Sequence, residues 1–496
     1  MSSIGAVCMA AFSVAVWRGE TAYVAVPDGV EIASGTCGAA GGDGVSVSYG
    51  WYDDVPYETK PGGVDMRSRP DVLREWVPGR DGGRRPTVCI VRVSPDAKPG
   101  VRSFPPLEVN VLDRVLPPPS GREYHLDLWQ HPWAVARYFG VEPFSEGHYA
   151  KMEPVWRTLA ECGCKALTVT LLDLPWNHQC HDGYRSMVER VREADGSWRF
   201  GYGVFDEYVA FGRRCGIGPD IACYTMCPWG YMATWREADG TERREKLLPG
   251  TAEFEGYWGP FLEDFAAHLK SMGWFADAYI AMDERSPEDV RAIAELVRRN
   301  APGLKIAMAG DRSPSAFRGI DIDSYSQALK HLTDDFLAEL GPRRARGQRT
   351  TLYVCCTEER PNTFMCSGDD EAFWLGAYPA MAGFDGFLRW AANSWPADPY
   401  ADASFKTRSW RAGDTFLVYP NGEPSARLVA LRAGIVAAEK LRILCGGADG
   451  ASIARRAASV AARHGYADAL RGGVDFGAFR REVEGLVSGP SAASQN

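Results

Sequence analysis

The side chains most able to do chemistry sit in one short stretch, Ala278-Tyr-Ile-Ala-Met-Asp-Glu-Arg-Ser-Pro-Glu-Asp-Val290, where Asp283 and Glu284 are adjacent. Cleaving a glycosidic bond needs a proton for a poorly leaving oxygen and stabilisation of an oxocarbenium-like centre, and two carboxyl groups in unlike environments can supply both. Neighbours on a strand point to opposite faces, so this pair is badly placed as an ordinary nucleophile and acid. Adjacency suits another division of labour. The shorter Asp283 would hold and polarise a substrate group while Glu284 reaches the glycosidic oxygen, as when a sugar's own 2-acetamido oxygen attacks C1. By itself, an Asp-Glu pair ahead of a helix equally fits a solvated turn.

The flanking residues say how the pair is mounted. Ala278 to Met282 reads as an apolar strand, and Ser286 is placed as a helix N-cap. Pro287 stands at the first helical position, with Glu288 and Asp289 in the first turn. The pair is thus predicted to occupy a strand-to-helix junction, a stiff mount for reactive groups.

That junction belongs to a repeating pattern. From Glu123 onward β-rich runs alternate with segments of helical period. Eight strands are expected, around 123–129, 165–171, 219–224, 276–282, 304–310, 320–325, 351–356 and 383–390. Phe254, Trp258, Phe261, Phe265, Leu269 and Met272 fall on one helix face, Val290, Ile293 and Val297 on another, and Leu428, Leu431, Ile435 and Ala438 on a third. Eight strand–helix units predict a (β/α)8 TIM-like barrel. The longest loops, from Asp173, Met226 and Ala391, follow strands and so stand on the face where such barrels build sites.

Residues 1–120 read instead as an antiparallel β-sandwich, with runs such as Phe12–Trp17 and Leu107–Leu112 and turn signals at Asp28-Gly29 and Lys98-Pro99-Gly100. Pro117-Pro118-Pro119 marks the boundary. The expected domains are a sandwich (1–120), a barrel (121–445) and a small helical C-terminal appendage (446–496).

The 496 residues are 45% hydrophobic and 24% charged, ordinary usage for a folded chain. A net charge of −9 argues against a nucleic-acid partner. No run approaches the roughly 20 apolar residues needed to span a bilayer, and the opening MSSIGAVCMAAF lacks the basic start of a secretory leader. The thirteen cysteines show no spaced framework, which predicts reduced thiols, a cytoplasmic protein and no structural metal. His178 and His181 flank Cys180 without a third ligand at metal spacing.

Aromatic and amide side chains gather at the predicted strand ends: Trp129 and Gln130, then Trp176, Asn177 and Gln179, then Tyr224 and Trp229, then Trp390, Asn393 and Trp395, with Tyr419 beyond. Stacking faces and amide donors are what a sugar pocket uses. Tyr224 and Tyr325 are candidates to contact an acetamido group. Each Trp taken singly equally fits a packing role.

The segments YHLDLWQHPWAVARYFGVEPFSEGHY, DLPWNHQ, FDEYV, ACYTMCPWG, FLEDFAAHLKSMGW, YIAMDE, GFLRWAANSW and GDTFLVYPNG occur in an order that resembles glycoside hydrolase family 123, the β-N-acetylgalactosaminidases. The resemblance covers most of the chain. It implies a retaining, substrate-assisted enzyme that releases terminal β-linked N-acetylgalactosamine from oligosaccharides. Glu284 would be the general acid/base, Asp283 the carboxylate orienting the acetamido group, and no cofactor would be needed. The loop from Cys356 to Gly368, with Glu358, Glu359 and Arg360, departs from the family pattern and leaves the sugar open. A β-N-acetylglucosaminidase, a broad β-N-acetylhexosaminidase and a non-catalytic carbohydrate-binding relative remain alternatives.

Overall fold

A computed structural model describes residues 12–32, 40–41, 43–77, 84–405 and 410–488. The first eleven residues, where the sequence argues against a leader, lie outside them. Eight parallel strands form the central sheet: His125–Leu128, Ala166–Thr170, Asp220–Tyr224, Ala278–Asp283, Lys305–Gly310, Ser324–Ala328, Arg349–Val354 and Gly386–Arg389. Numbered along the chain, they pair in the order 2-3-4-5-6-7-8-1. The three-part architecture read from the sequence is the one the chain adopts.

The seam between strands 1 and 2 is closed in an unusual way. Only one backbone bridge, Leu126 to Cys164, joins the two. Beyond it the Gln130 side chain substitutes for a ladder: its Oε1 accepts from Thr168 N at 2.9 Å, and its Nε2 donates to Ala166 O at 3.1 Å and to Leu128 O. A buried amide with every group bonded replaces backbone pairs that the strand geometry leaves open.

Helices cover the sheet where the apolar spacing placed them. Ala252–Ser271 buries Phe254, Trp258, Phe261, Phe265 and Leu269, whereas Met272, just past its end, stays exposed. The fifth unit departs from expectation, because Gly310 and Ser324 are joined by a short 3-10 turn, Pro314–Phe317, in place of an α-helix. The sixth strand also begins four residues later than predicted. Tyr325 therefore lies inside the strand and not at its tip.

The loops after strands 2 and 3 are not irregular. Glu189–Arg192, Trp198–Gly201, Met232–Glu237 and Glu242–Lys246 join into a four-stranded sheet standing on the barrel's C-terminal rim. The N-terminal strands form two sheets over a core that includes Val16, Val47, Tyr49, Val91 and Val109. One pairing differs from the antiparallel expectation, since Phe12–Arg18 runs parallel to Leu107–Val115. The C-terminal helices Gly450–Arg463 and Phe476–Val487 pack against Asp369–Met381 and Ala426–Cys445, where Trp374 donates to His464 O at 3.0 Å.

The sandwich is fastened to the barrel by a buried ion pair. Arg427 directs Nη2 and Nε at Asp71, at 3.0 and 3.1 Å, and the Tyr419 hydroxyl donates to Asp71 at 2.7 Å. The same guanidinium donates to Thr363, Gly413 and Phe416 carbonyls at 2.8–2.9 Å. Gly413 must be glycine here. Its φ is +80°, and a Cβ would lie 2.8 Å from Arg427 Nη1 and 2.9 Å from Met365 N.

Candidate active site

Asp283 ends the fourth strand, in register with Ala309, and Glu284 N still donates to Ala309 O at 2.8 Å. The strand then stops abruptly. Glu284 has φ +47°, a left-handed conformation that costs a non-glycine residue about 1–3 kcal/mol and that surrounding structure must impose. Ser286 caps the following helix by accepting from Asp289 N, and Pro287 occupies its first turn. The helix onset read from the sequence is thus in place, and the turn breaks the alternation that would have sent the carboxyls to opposite faces.

Each carboxyl has its own partner. Trp229 Nε1, from the loop after strand 3, donates to Asp283 Oδ2 at 2.9 Å. The Tyr353 hydroxyl, on strand 7, donates to Glu284 Oε1 at 2.6 Å. A bond from the tip of strand 4 to strand 7 spans the barrel mouth, so Glu284 lies across the opening. Arg285 is held back, its guanidinium 4.1 Å over the Trp229 ring and its Nε bonded to Asp283 O. It supports the indole that grips Asp283.

Burial and the adjacent Glu284 charge push the Asp283 carboxyl up to about 7, against the Trp229 hydrogen bond and Arg285. Burial also raises Glu284, helped by the charges of Asp311 and Glu358 and opposed by the Tyr353 hydroxyl. Two carboxyls in one field resist losing both protons, so the pair retains one toward neutral pH. Burial, with the Glu284 charge, pushes the Tyr353 phenol well above its ordinary value, so it remains a donor.

Beside Asp283 lies an aromatic stack from the ends of strands 1 to 3. Trp129 is 4.6 Å from Tyr224 and 5.0 Å from Trp176, and Trp176 is 5.0 Å from Tyr224 (ring centroids). All three are buried, and burial, then the Asp127 and Asp283 charges, pushes the Tyr224 phenol well above its ordinary value. Trp390, half-buried, donates to Asp414 at 3.2 Å and meets Trp410 edge-on at 6.0 Å. Trp410 in turn donates to Gln179 O at 2.9 Å, tying the last loop to the second. Asn177 is exposed on that second loop, with φ +54°.

Five of the expected sugar contacts have their polar atoms bonded within the scaffold. Gln130 closes the barrel seam. Asn393 pairs both amide atoms with the His131 backbone, at 2.8 and 3.0 Å. Trp395 donates to Val418 O at 2.7 Å, and Tyr419 is bonded to Asp71. Tyr325, fully buried inside strand 6, donates to Arg312 O at 2.5 Å. Its ring occupies the space over Gly310, where a Cβ would overlap the phenol. Residue type alone does not say whether an amide or hydroxyl faces a ligand or a neighbouring carbonyl.

Sequence reasoning missed Tyr353 and Trp410. Tyr353 carried a readable signal as an inward polar aromatic near the end of an apolar strand, but its partner lies 69 residues away. Glu358, noted for its loop, is buried and accepts from Lys330 N and Cys355 N at 3.0 and 2.9 Å. Among the described residues no group of three or more His, Cys, Asp or Glu side chains is arranged to hold a metal ion.

A parallel barrel with paired carboxyls at its C-terminal rim is the frame of a glycoside hydrolase. The model of the glycoside hydrolase 123 catalytic domain matches residues 129–444, and the chain belongs to that family. Among solved structures it is similar to a family 123 glycoside hydrolase from Clostridium perfringens described for glycolipid glycan hydrolysis. The TM-score is 0.79 and the identity 22%, over 96% of this chain and 94% of that one. A more distant similarity is to a family 5 glycoside hydrolase from Bacteroides vulgatus, with TM-score 0.37 and 11% identity over 65% of this chain and 67% of that one. A comparison with curated protein sequences finds no match.

Proposed function

We propose that this glycoside hydrolase releases terminal β-linked N-acetylgalactosamine by substrate-assisted, retaining catalysis. Asp283 orients the acetamido group, whose oxygen attacks C1, and the developing positive charge on the amide nitrogen is stabilised by that carboxylate. Glu284 protonates the departing oxygen and then takes a proton from the water that opens the cyclic intermediate. The observation carrying this reading is the anchoring of the two adjacent carboxyls from opposite sides, Asp283 by Trp229 and Glu284 across the mouth by Tyr353. The pair retains one proton toward neutral pH, and the reading requires that proton on Glu284 once a substrate amide N–H faces the Asp283 carboxylate. Trp129, Trp176, Tyr224 and Trp390 are proposed to shape the sugar site, with Asn177 and Gln179 at its edge. Glycolipid glycan hydrolysis by the C. perfringens protein favours an oligosaccharide substrate of that kind.

The test is direct. An aryl β-N-acetylgalactosaminide should give the β-anomer of the free sugar as first product, followed by NMR, while the analogue with hydroxyl in place of 2-acetamido should be inert. Efficient cleavage of that analogue, or an α first product, rules the mechanism out. Side-by-side assay of the galacto and gluco epimers decides the sugar.

A pH profile probes the proton. The basic limb reports the acid that must hold it, and a hydrogen bond to a carboxylate lowers that group's pKa. Tyr353→Phe removes such a bond from Glu284, so the basic limb of kcat/KM should move to higher pH. An unmoved or downward-shifted limb contradicts Glu284 as the acid.

The eleven cysteines of the described residues are all free thiols, which supports a reducing compartment and with it a cytoplasmic enzyme. Among the described residues no helix is long and apolar enough to cross a membrane.

A further inference from the structure

We propose that a cleft on the rim sheet is an anion-binding subsite for a carboxylate- or sulfate-bearing sugar, positioned to receive the aglycone of a charged glycan. This deepens the function proposed above and rests on it for the word aglycone. The cleft, of about 660 Å³, lies between the loop after strand 2 and the added sheet. Five guanidinium groups line it, from Arg185, Arg190, Arg236, Arg243 and Arg244, against three carboxylates, from Asp173, Glu189 and Glu242. A local positive excess stands out in a chain of net charge −9.

The existing ion pairs leave these cations underused. Arg185 to Asp173 is 3.5 Å, Arg236 to Glu189 is 3.7 Å and Arg243 to Glu237 is 3.4 Å, all beyond ordinary hydrogen-bond length. Among the described residues no carboxylate pairs with Arg244.

Arg190 is the second, independent sign. It is only 4% exposed, yet no carboxylate bonds it. One terminal nitrogen donates to Leu171 O, while Nε and the other terminal nitrogen have no hydrogen-bond partner. Its charge rests instead on aromatic faces, 4.1 Å from the Phe261 ring centre and 4.8 Å from that of Trp258. A buried cation without a counter-ion behind the cleft lining adds to the positive potential that an anion there would meet.

The cleft is joined to the candidate catalytic pair by two short stretches of chain. Thr234, Trp235 and Arg236 follow closely on Trp229, which grips Asp283. Asp173 and Leu174 precede Trp176, and Pro175 O accepts from Trp229 N at 2.9 Å. These links tie the cleft lining to the loops that flank the pair.

The experiment titrates the full-length protein calorimetrically with N-acetylneuraminic acid, galactose 6-sulfate and neutral galactose, at low and high salt. The R236Q/R244Q double variant, altered only at exposed side chains, is run in parallel. At least one anionic sugar should bind more tightly than galactose, lose affinity in high salt, and bind about tenfold more weakly to the variant. Which of the two binds tells carboxylate from sulfate ester. Binding of neither, or equal binding by the variant, overturns the subsite. Titration needs no turnover, so its failure is read separately from a failure to cleave any N-acetylhexosaminide.

Discussion

Replacing Glu284 with Gln should, on the proposed function, lower turnover of a β-N-acetylgalactosaminide with a poor, sugar-like leaving group by about 10²- to 10⁴-fold, the range that a positioned general acid supplies. An activated aryl leaving group departs without protonation, so there the loss is far smaller. The contrast between the two substrates is the diagnostic quantity. A merely misfolded variant loses both equally, and a solvated, idle Glu284 loses neither. Gln keeps the length of the side chain and can still accept from the Tyr353 hydroxyl, so the geometry across the mouth survives and only the proton is removed. Equal effects on the two substrates would remove Glu284 from the acid role.

Asp71→Ala should destabilise the protein by about 3–5 kcal/mol, the usual loss when one partner of a buried ion pair is deleted and the other charge is left behind. Asp71 is fully buried and Arg427 is 1% exposed, so no water reaches the stranded guanidinium. The double variant Asp71→Leu, Arg427→Met should regain much of that stability, because two apolar groups leave no unpaired charge. Denaturant midpoints of the parent, single and double variants measure this. Activity should nevertheless fall in the double variant, since Arg427 also holds the Thr363, Gly413 and Phe416 carbonyls of the loops after strands 7 and 8. A single variant as stable as the parent would show that the pair carries no structural burden.

That fastening links the sandwich to the loops around the candidate site. Its hairpin, Val45–Glu58 with Met66–Glu75, braces the loop carrying Trp410 and Asp414. Leu73 N donates to Pro424 O at 3.1 Å and Ala403 N to Pro56 O at 2.8 Å. Arg74 adds an ion pair to Glu423. Long loops that carry site residues need such support, because their side chains keep a productive geometry only when packing and hydrogen bonds hold them.

What could be read along the chain is what short-range physics controls. Apolar periodicity located seven of the eight barrel strands closely, and the sixth four residues early, along with the buried faces of several helices between them, because burial selects residue type at a spacing fixed by the backbone. Ser286, Pro287 and the acidic first turn marked the helix behind Asp283-Glu284, since a cap is a contact between residues three apart. Composition and residue type, in contrast, do not show that the polar atoms of Gln130, Asn393, Trp395, Tyr419 and Tyr325 are bonded within the scaffold. Whether an amide closes a barrel seam or faces solvent depends on what lies opposite it, and that partner comes from elsewhere in the chain. Tyr353 meets Glu284 over 69 residues and Asp71 meets Arg427 over 356. No local pattern encodes pairings at that separation. The left-handed turn at Glu284 belongs with them: nothing in the residue type predicts it, and only the packed rim imposes it.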